Sequence, residues 1–348
     1  MLRNLLVFLL LCSAECNAVE IGELRIFQLN IWGDATVVPG AFDALTDEIA
    51  RLDVHIVALC EVNNRHGVTS ERLVEALKQR GQTWYGASGR CAGVQGTDVC
   101  VLSRYPIEEV VTGLSTVPGG VDMKVRINVE GFDVLLYPAH LDYTHYACYL
   151  PRGYNGVTWK KLPAPDGDPE AVLRMNRAST RDEAVAAFLE EVSHERADLI
   201  LLAGDFNEPS HLDWTEATCE IWDHNGCIVS WDCSVQLYEA GFCDVYRVLH
   251  SDPVTHPGFT YPADNPAKEV EKLTWAPDAD ERERIDFIYY LPGGVFVPKQ
   301  VEIVGPSSSI VRSKRIRETG KDTFIEPLGV WPSDHKGVLV TFKPVRKN

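Results

Sequence analysis

The sequence predicts an α/β protein in which a mixed sheet, or a pair of sheets, carries helices on its outside. Three observations predict it. Short apolar runs of strand length recur along the chain, longer stretches show helical periodicity, and many of the strand runs follow one another with no helix between them. The last observation excludes a pure βαβ array, where each strand would lead into a helix. With no internal repeat and no low-complexity tract, one domain is expected over residues 19–348.

The strand-like runs are Leu24–Leu29, Val54–Leu59, Val99–Leu102, Met123–Val129, Val134–Tyr137, Leu199–Ala203, Ile285–Tyr290 and Val338–Phe342. Helical periodicity covers Phe42–Leu52, Ser70–Lys78 and Arg181–Val192, with Ser70 and Thr180 as candidate N-caps. Ahead of them, residues 1–18 read as a cleaved secretory signal peptide. Arg3 charges its start, Leu5–Leu11 is its apolar stretch, and Cys16-Asn17-Ala18 supplies the cleavage region. That stretch is far shorter than the ~20 residues that span a bilayer. The protein is therefore expected to be exported, not transmembrane, and monomeric.

Export sets the reading of the cysteines. Cys91 and Cys100 flank a glycine-rich loop and are expected to pair, and Cys219, Cys227, Cys233 and Cys243 are expected to form two more bridges. A zinc cluster in that last segment, with His224, lacks the Cys-x-x-Cys spacing such sites use. Cys60, inside an apolar strand, reads as a buried thiol. The net charge of −17 counts against a protein that grips long nucleic acid, since such binding depends on Lys and Arg.

Five of the apolar runs deliver polar residues at or near their ends. Leu199–Ala203 leads into Gly204-Asp205-Phe206-Asn207; Leu24–Leu29 ends at Asn30; Val54–Leu59 leads through Cys60 to Glu61. Val134–Tyr137 is followed by His140 and Asp142, and Ile285–Tyr290 holds Asp286 in apolar surroundings. Asp334-His335 precedes the last strand. Carboxylates appended to such runs are costly to bury unpaired, so each needs a cation or donor, and a histidine is the natural partner for Asp286. Sheet edges of α/β folds are where ligands bind.

One segment, about 143–180, shows little periodicity and is rich in Tyr, Trp, Arg and Lys; its basic residues outnumber its acidic ones. A loop that long in a compact domain is usually functional. It is expected to be a lid or specificity insert in which Tyr143, Arg152 and Tyr154, with the flanking Asp142 and Arg181, bind substrate.

This ordered set, from Asn30 to His335, resembles the endonuclease/exonuclease/phosphatase superfamily, which includes deoxyribonuclease I-like nucleases, AP-endonucleases, inositol-polyphosphate 5-phosphatases and neutral sphingomyelinases. The resemblance implies a four-layer sandwich, two face-to-face mixed β-sheets flanked by helices, with the active site at one edge. It implies that Glu61, with Asn30 and Asp334, holds a divalent cation, Mg²⁺ or alternatively Mn²⁺ or Ca²⁺. It further implies that Asp205 activates water, that Asn207 and His140 contact the phosphate, and that His335 faces it, paired with Asp286. The acid at Asp142 and the insert are not general features of the superfamily.

The expected function is hydrolysis of a phosphate ester, of a small molecule or lipid head group, by in-line attack of an Asp-activated water. An extracellular deoxyribonuclease I-like nuclease is the first alternative. A non-catalytic binding protein of the same fold is the second, although none of the polar residues that catalysis needs is missing.

Overall fold

The computed structural model describes residues 22–89 and 98–345. The segment expected to be a signal peptide, and Cys91 of the expected Cys91–Cys100 pair, lie outside the described residues. The strands in chain order are β1 (Leu24–Asn30), β2 (Ile56–Cys60), β3 (Tyr85–Ser88), β4 (Val99–Ser103), β5 (Ile107–Thr112), β6 (Met123–Val129), β7 (Phe132–His140) and β8 (Leu199–Asp205). They continue with β9 (Cys243–Asp244), β10 (Asp286–Leu291), β11 (Phe296–Val304), β12 (Ser308–Val311), β13 (Lys314–Arg317), β14 (Phe324–Ile325) and β15 (Gly337–Pro344).

They assemble into two large mixed sheets. One has the order β14-β11-β15-β1-β2-β4-β3 and the other β5-β6-β7-β8-β10-β9, while β12 and β13 form a separate ribbon. The sheets pack face to face because residues at every second position of the central strands are apolar on the inner side. Ile26, Ile56, Ala58 and Val101 from the first sheet meet Val134, Leu136, Leu201, Ala203 and Ile288 from the second. Residues of the opposite parity face the helices. Phe27 and Leu59 pack on Leu45 and Ile49 of helix Ala41–Arg51 and on Leu73 and Leu77 of helix Thr69–Gln79. Leu202 and Tyr289 pack on Val185 and Phe188 of helix Arg181–Ser193. The result is the four-layer sandwich of paired mixed sheets flanked by helices.

The expected N-caps differ in detail. Ser70 lies within the first turn of its helix, behind Thr69, and the Thr180 hydroxyl donates to the Pro118 carbonyl at 2.6 Å instead of capping. The insert is more ordered than its sequence suggests. It holds a 3₁₀ turn at Ala147–Tyr149 and a helix at Pro169–Asn176, which Asp168 caps and Pro169 starts. Tyr146, Tyr149 and Tyr154 are buried in a fourth apolar cluster with Trp214 and Trp231.

The two bridges expected among Cys219, Cys227, Cys233 and Cys243 are not formed; all four are free thiols. Their surroundings explain why. Cys227 is buried in the cluster under the insert, Cys233 in the layer outside the second sheet, and Cys243 packs against the inter-sheet core. Cys60 is a buried thiol. Among the described residues no helix is long and apolar enough to cross a membrane.

Candidate active site

The register of the second sheet sets the site. His140 on β7 is opposite Asp205 on β8, and Asp205 is opposite Asp286 on β10, so three polar side chains form one row. All three continue the inner-face parity of their strands and so point into the gap between the sheets, at its edge. In the first sheet Asn30 is paired with Cys60, which brings Glu61 just beyond the end of β2. Strand β15 runs antiparallel to β1, with Val338 opposite Gln28, and this carries Asp334 and His335 to the same edge. At Gly204 the chain passes so close to β7 that an added Cβ would lie 1.9 Å from the Ala139 carbonyl oxygen. Glycine before Asp205 is thus a condition of the row.

Hydrogen bonds hold these groups in place. The Asn30 amide donates to Asp205 Oδ2 at 3.0 Å and to Glu61 Oε1 at 3.1 Å, while the Gly33 N–H donates to Glu61 Oε2 at 2.7 Å. The backbone N–H of Asn207 donates to Asp205 Oδ1 at 2.8 Å, and its side-chain Nδ2 donates to the Leu141 carbonyl at 3.0 Å. Glu61 (φ 60) and Asn207 (φ 49) both adopt left-handed backbone, a cost that tertiary contacts must offset and that concentrates at functional sites. His335 Nδ1 lies 2.8 Å from Asp286 Oδ2, whose other oxygen accepts from Gln28 Nε2 at 3.0 Å. His335 Nε2 is 3.8 Å from Asp205 Oδ2. On the other side His140 Nδ1 lies 3.0 Å from both carboxylate oxygens of Asp98.

These contacts set the charges. Burial acts to lower the pKa of His335, but the Asp286 and Asp205 carboxylates outweigh it and raise it to about 10. Burial likewise opposes the charge on His140, and Asp98, with Asp205 and Glu61 behind it, raises the pKa to about 9. Both rings are therefore cations at neutral pH. Asp205 is raised above the ordinary carboxylate range by burial, with His335 pulling against it. Burial lifts Asp334 to about 7; His335 opposes the rise and the nearby Glu61 adds to it.

The groups open on a cavity of ≈ 620 Å³. Glu61, Asp98, His140, Asp205, Asn207, Asp334 and His335 line its polar end. Its other walls are aromatic: Tyr143, Tyr146, Tyr149 and Trp159 from the insert, with Trp32, Tyr261 and Trp275. Two sets of ligand atoms could hold a cation. Asp205, Asp286 and His335 each offer one atom within 4.8 Å of the others, but both Asp286 oxygens are engaged and a protonated imidazole already supplies the positive charge there. Glu61 and Asp334 offer hard oxygens instead, and Asp334 Oδ1 is buried with no hydrogen-bond partner among the described residues. A divalent cation fits that second set.

The structure thus brings Glu61, His140, Asp205, Asn207, Asp334, His335 and Tyr143 to the wall of one cavity, with Asn30 and Asp286 bonded behind Asp205 and His335. Four residues expected to bind substrate do not reach it. Arg152 is buried and spends its guanidinium on Glu283 (2.7 Å) and on the carbonyls of Asp280, Cys148, Trp222 and Arg282. Arg181 does the same with the carbonyls of Asp142, Thr144 and His145 and with Asn176. The Tyr154 hydroxyl accepts from the Asp278 N–H at 3.1 Å, and Asp142 accepts from Thr144 and from the Thr180 N–H. These four organise the insert. Asp98 went unnoticed in the sequence, where its only signal is a position just ahead of β4, opposite the end of β2.

The two packed sheets, with a row of carboxylates and histidines at one edge, place the protein in the phosphoesterase/nuclease fold class. A model of the endonuclease/exonuclease/phosphatase family matches residues 27–335, and the chain belongs to that family. A Caenorhabditis elegans protein described as uncharacterized protein F14F9.5 is 26% identical over 341 residues, spanning 97% of each chain. Among solved structures the fold is similar to D. rerio TDP2 complexed with a single-strand DNA product (TM-score 0.52, 15% identity, 93% of this chain and 100% of that one). It is also similar to an AP endonuclease from Archaeoglobus fulgidus (TM-score 0.51, 15% identity, 92% and 99%). At such identities the likeness is one of fold.

Proposed function

We propose that the protein is a divalent-metal-dependent hydrolase of a compact phosphate ester, working by in-line attack of a water that Asp205 deprotonates. The observation that carries this reading is the convergence of Asp205, two histidinium rings and an unpartnered Asp334 oxygen on one cavity.

A phosphate ester is anionic and repels an incoming oxygen, so positive charge and donors must face it before a base is of use. His140 and His335 supply both. Asp98 and Asp286 hold the two rings protonated at Nδ1, which leaves the opposite N–H of each ring to donate to non-bridging oxygens. Asn30 and the Asn207 N–H fix the Asp205 carboxylate, whose raised pKa suits a general base near neutrality. Asn207 Nδ2 is anchored on Leu141, so its side-chain oxygen is the atom left to orient the water. Glu61 and Asp334 would hold the cation, Mg²⁺ being the hard ion that oxygen ligands favour, and when bound it would act as a Lewis acid on a phosphoryl oxygen and the leaving alkoxide.

Export after removal of residues 1–18 belongs to the same proposal, and N-terminal sequencing of protein recovered from the medium of expressing cells tests it. The enzymatic reading is tested by assaying the purified chain with Mg²⁺, with and without chelator. The panel is plasmid DNA, bis-p-nitrophenyl phosphate, p-nitrophenyl phosphate and sphingomyelin. Metal-dependent turnover of a small ester is expected, lost in Asp205→Ala and His335→Ala with thermal unfolding still cooperative. Full turnover in either variant overturns the site, and rapid plasmid cutting would put the nuclease alternative first.

A further inference from the structure

The aromatic end of the cavity does not handle the phosphate, and its chemistry says what else the substrate carries. We propose that it is a subsite for an organic cation, so that the ester cleaved bears a quaternary ammonium head of the choline type; this rests on the phosphoester reading above.

The first argument is charge. No Lys or Arg is among the described residues that line the cavity, although the insert contains several of both. Arg152 and Arg181 are spent on carbonyls, and Lys161 reaches outward to Asp278. A second phosphate, as in a polyphosphate or a strand of nucleic acid, would meet no cation among the described lining residues of this end. Among the described residues, the positively charged side chains lining the cavity are His140 and His335, which stand at its polar end, where one phosphodiester charge is handled.

The second argument is ring geometry. Tyr146 and Tyr149 have centroids 4.9 Å apart at 84°, Tyr149 and Trp159 5.7 Å apart at 78°, and Trp159 and Trp275 5.6 Å apart at 39°. Successive planes turn through large angles, so the wall curves; Tyr146 and Tyr149 are buried behind it, and the accessible rings of Trp159 and Trp275 front it. A compact sphere of N-methyl groups fits such a wall, whereas a flat base needs a parallel slot. Two other lining aromatics are already committed: Trp32 faces the Lys268 ammonium at 5.6 Å and Tyr261 lies 4.9 Å from the His335 ring.

The third argument is the carboxylate behind the wall. Glu281 is 1% exposed; its Oε2 accepts from the Tyr149 hydroxyl at 2.6 Å and from the Trp275 and Ala276 N–H groups at 3.1 Å each, and its Oε1 accepts from the Thr274 hydroxyl. It fixes the fully buried Tyr149, on which Trp159 packs edge to face, and the backbone of Trp275, so the two tryptophans that front the wall are held in place.

In the reaction, water adds to phosphorus and the P–O bond to the second alcohol breaks. That alcohol leaves with one proton of the water, and the ammonium-bearing phosphomonoester stays against the aromatic wall until release.

The test compares p-nitrophenyl phosphorylcholine with p-nitrophenyl 3,3-dimethylbutyl phosphate, which has the same shape with carbon in place of nitrogen. With Mg²⁺ the choline ester is expected to show at least tenfold higher kcat/KM. In Trp275→Leu that ratio, read within the one variant, should fall at least threefold; Trp275 is 55% exposed, so its removal leaves the core intact. Equal rates for the two esters, or a preference for thymidine 5′-p-nitrophenyl phosphate over both, overturns the proposal. If the protein hydrolyses no ester, the phosphoester reading fails instead, and calorimetry with tetramethylammonium chloride decides the subsite alone. Saturable binding, absent with neopentyl alcohol and weakened in Trp275→Leu, supports it, and no binding refutes it.

Discussion

The side-chain amide of Asn30, at the end of a strand in one sheet, donates to Asp205 at the end of a strand in the other, at 3.0 Å. The same nitrogen reaches Glu61 at 3.1 Å, so one amide ties the carboxylate proposed as general base to the one proposed to hold the cation, across the sheet-to-sheet boundary. In Asn30→Ala both carboxylates lose a donor, and Asp205 is free to rotate away from the phosphorus. The expected loss in kcat is about 10²–10³-fold, as for removal of one preorganised donor. Steady-state kinetics at saturating Mg²⁺ check it; a loss confined to KM would mean that Asn30 only binds substrate.

The pairing of His140 with Asp98 sets an alkaline limit. A histidine raised to about 9 is charged below that pH and loses its proton as pH rises through it, so kcat/KM should fall above about pH 9. Asp98→Asn removes the largest of the influences that raise it. The descending limb should then move to lower pH by a unit or more. A limb that stays in place in the variant would show that His140 does not govern it.

The proposed cation site predicts that chelation is reversible and that its two carboxylates are unequal. Glu61 is anchored by Asn30 and Gly33, whereas Asp334 Oδ1 has no donor of its own among the described residues. Asp334→Ala should therefore raise the Mg²⁺ concentration for half-maximal activity by about tenfold, while removing a charge that Glu61 repels. Mg²⁺ should raise the Tm of the unaltered protein by mass action, and raise that of the variant less. Identical Mg²⁺ titrations of the two proteins would remove Asp334 from the site.

Much of this edge is legible in the sequence because a strand has period two. Ile26, Gln28 and Asn30 share a face, as do Leu201, Ala203 and Asp205, so a polar residue in phase with inner apolar ones must emerge between the sheets. Strands far from the centre of each sheet escape such reading. The edge strand β5 is largely exposed, and β11, second from its edge, is interrupted by Pro298-Lys299-Gln300, so neither carries a continuous apolar face. Arg152 and Arg181 mislead for a different reason: sequence records a guanidinium but not the carbonyls that will consume its donors. Asp98 is silent because its partner, His140, is brought to it only by the packing of one sheet on the other.

Arg152 is accordingly predicted to matter for stability. Its side chain is fully buried with Glu283, and in Arg152→Ala that carboxylate would be left uncompensated beside Trp214. Removing one partner of a buried pair costs about 3–5 kcal/mol. A lowered Tm with unchanged KM in the folded fraction is expected, and the double variant Arg152→Met, Glu283→Gln should recover part of the loss. A raised KM with full stability would return Arg152 to the substrate.

The sharpest dependence lies one residue before the base. Strands β7 and β8 run parallel with Ala139 opposite Gly204 and His140 opposite Asp205. Close approach at the first pair is what aligns the second. A methyl group at Gly204 would collide with the Ala139 carbonyl at 1.9 Å, and a backbone oxygen has no rotamer by which to move aside. Gly204→Ala must therefore part the two strands at their carboxyl ends, separating His140 from Asp205, the two groups proposed to face the phosphate and to activate water. Strand pairing farther along, from Val134 opposite Leu199, is buried on both faces and should persist. The expected variant is folded by far-ultraviolet circular dichroism, has a Tm lowered by several degrees, and turns over at least 10²-fold more slowly. Faster amide exchange should be confined to the ends of β7 and β8. Normal turnover in Gly204→Ala would mean that the spacing of His140 and Asp205 is not what the chemistry requires.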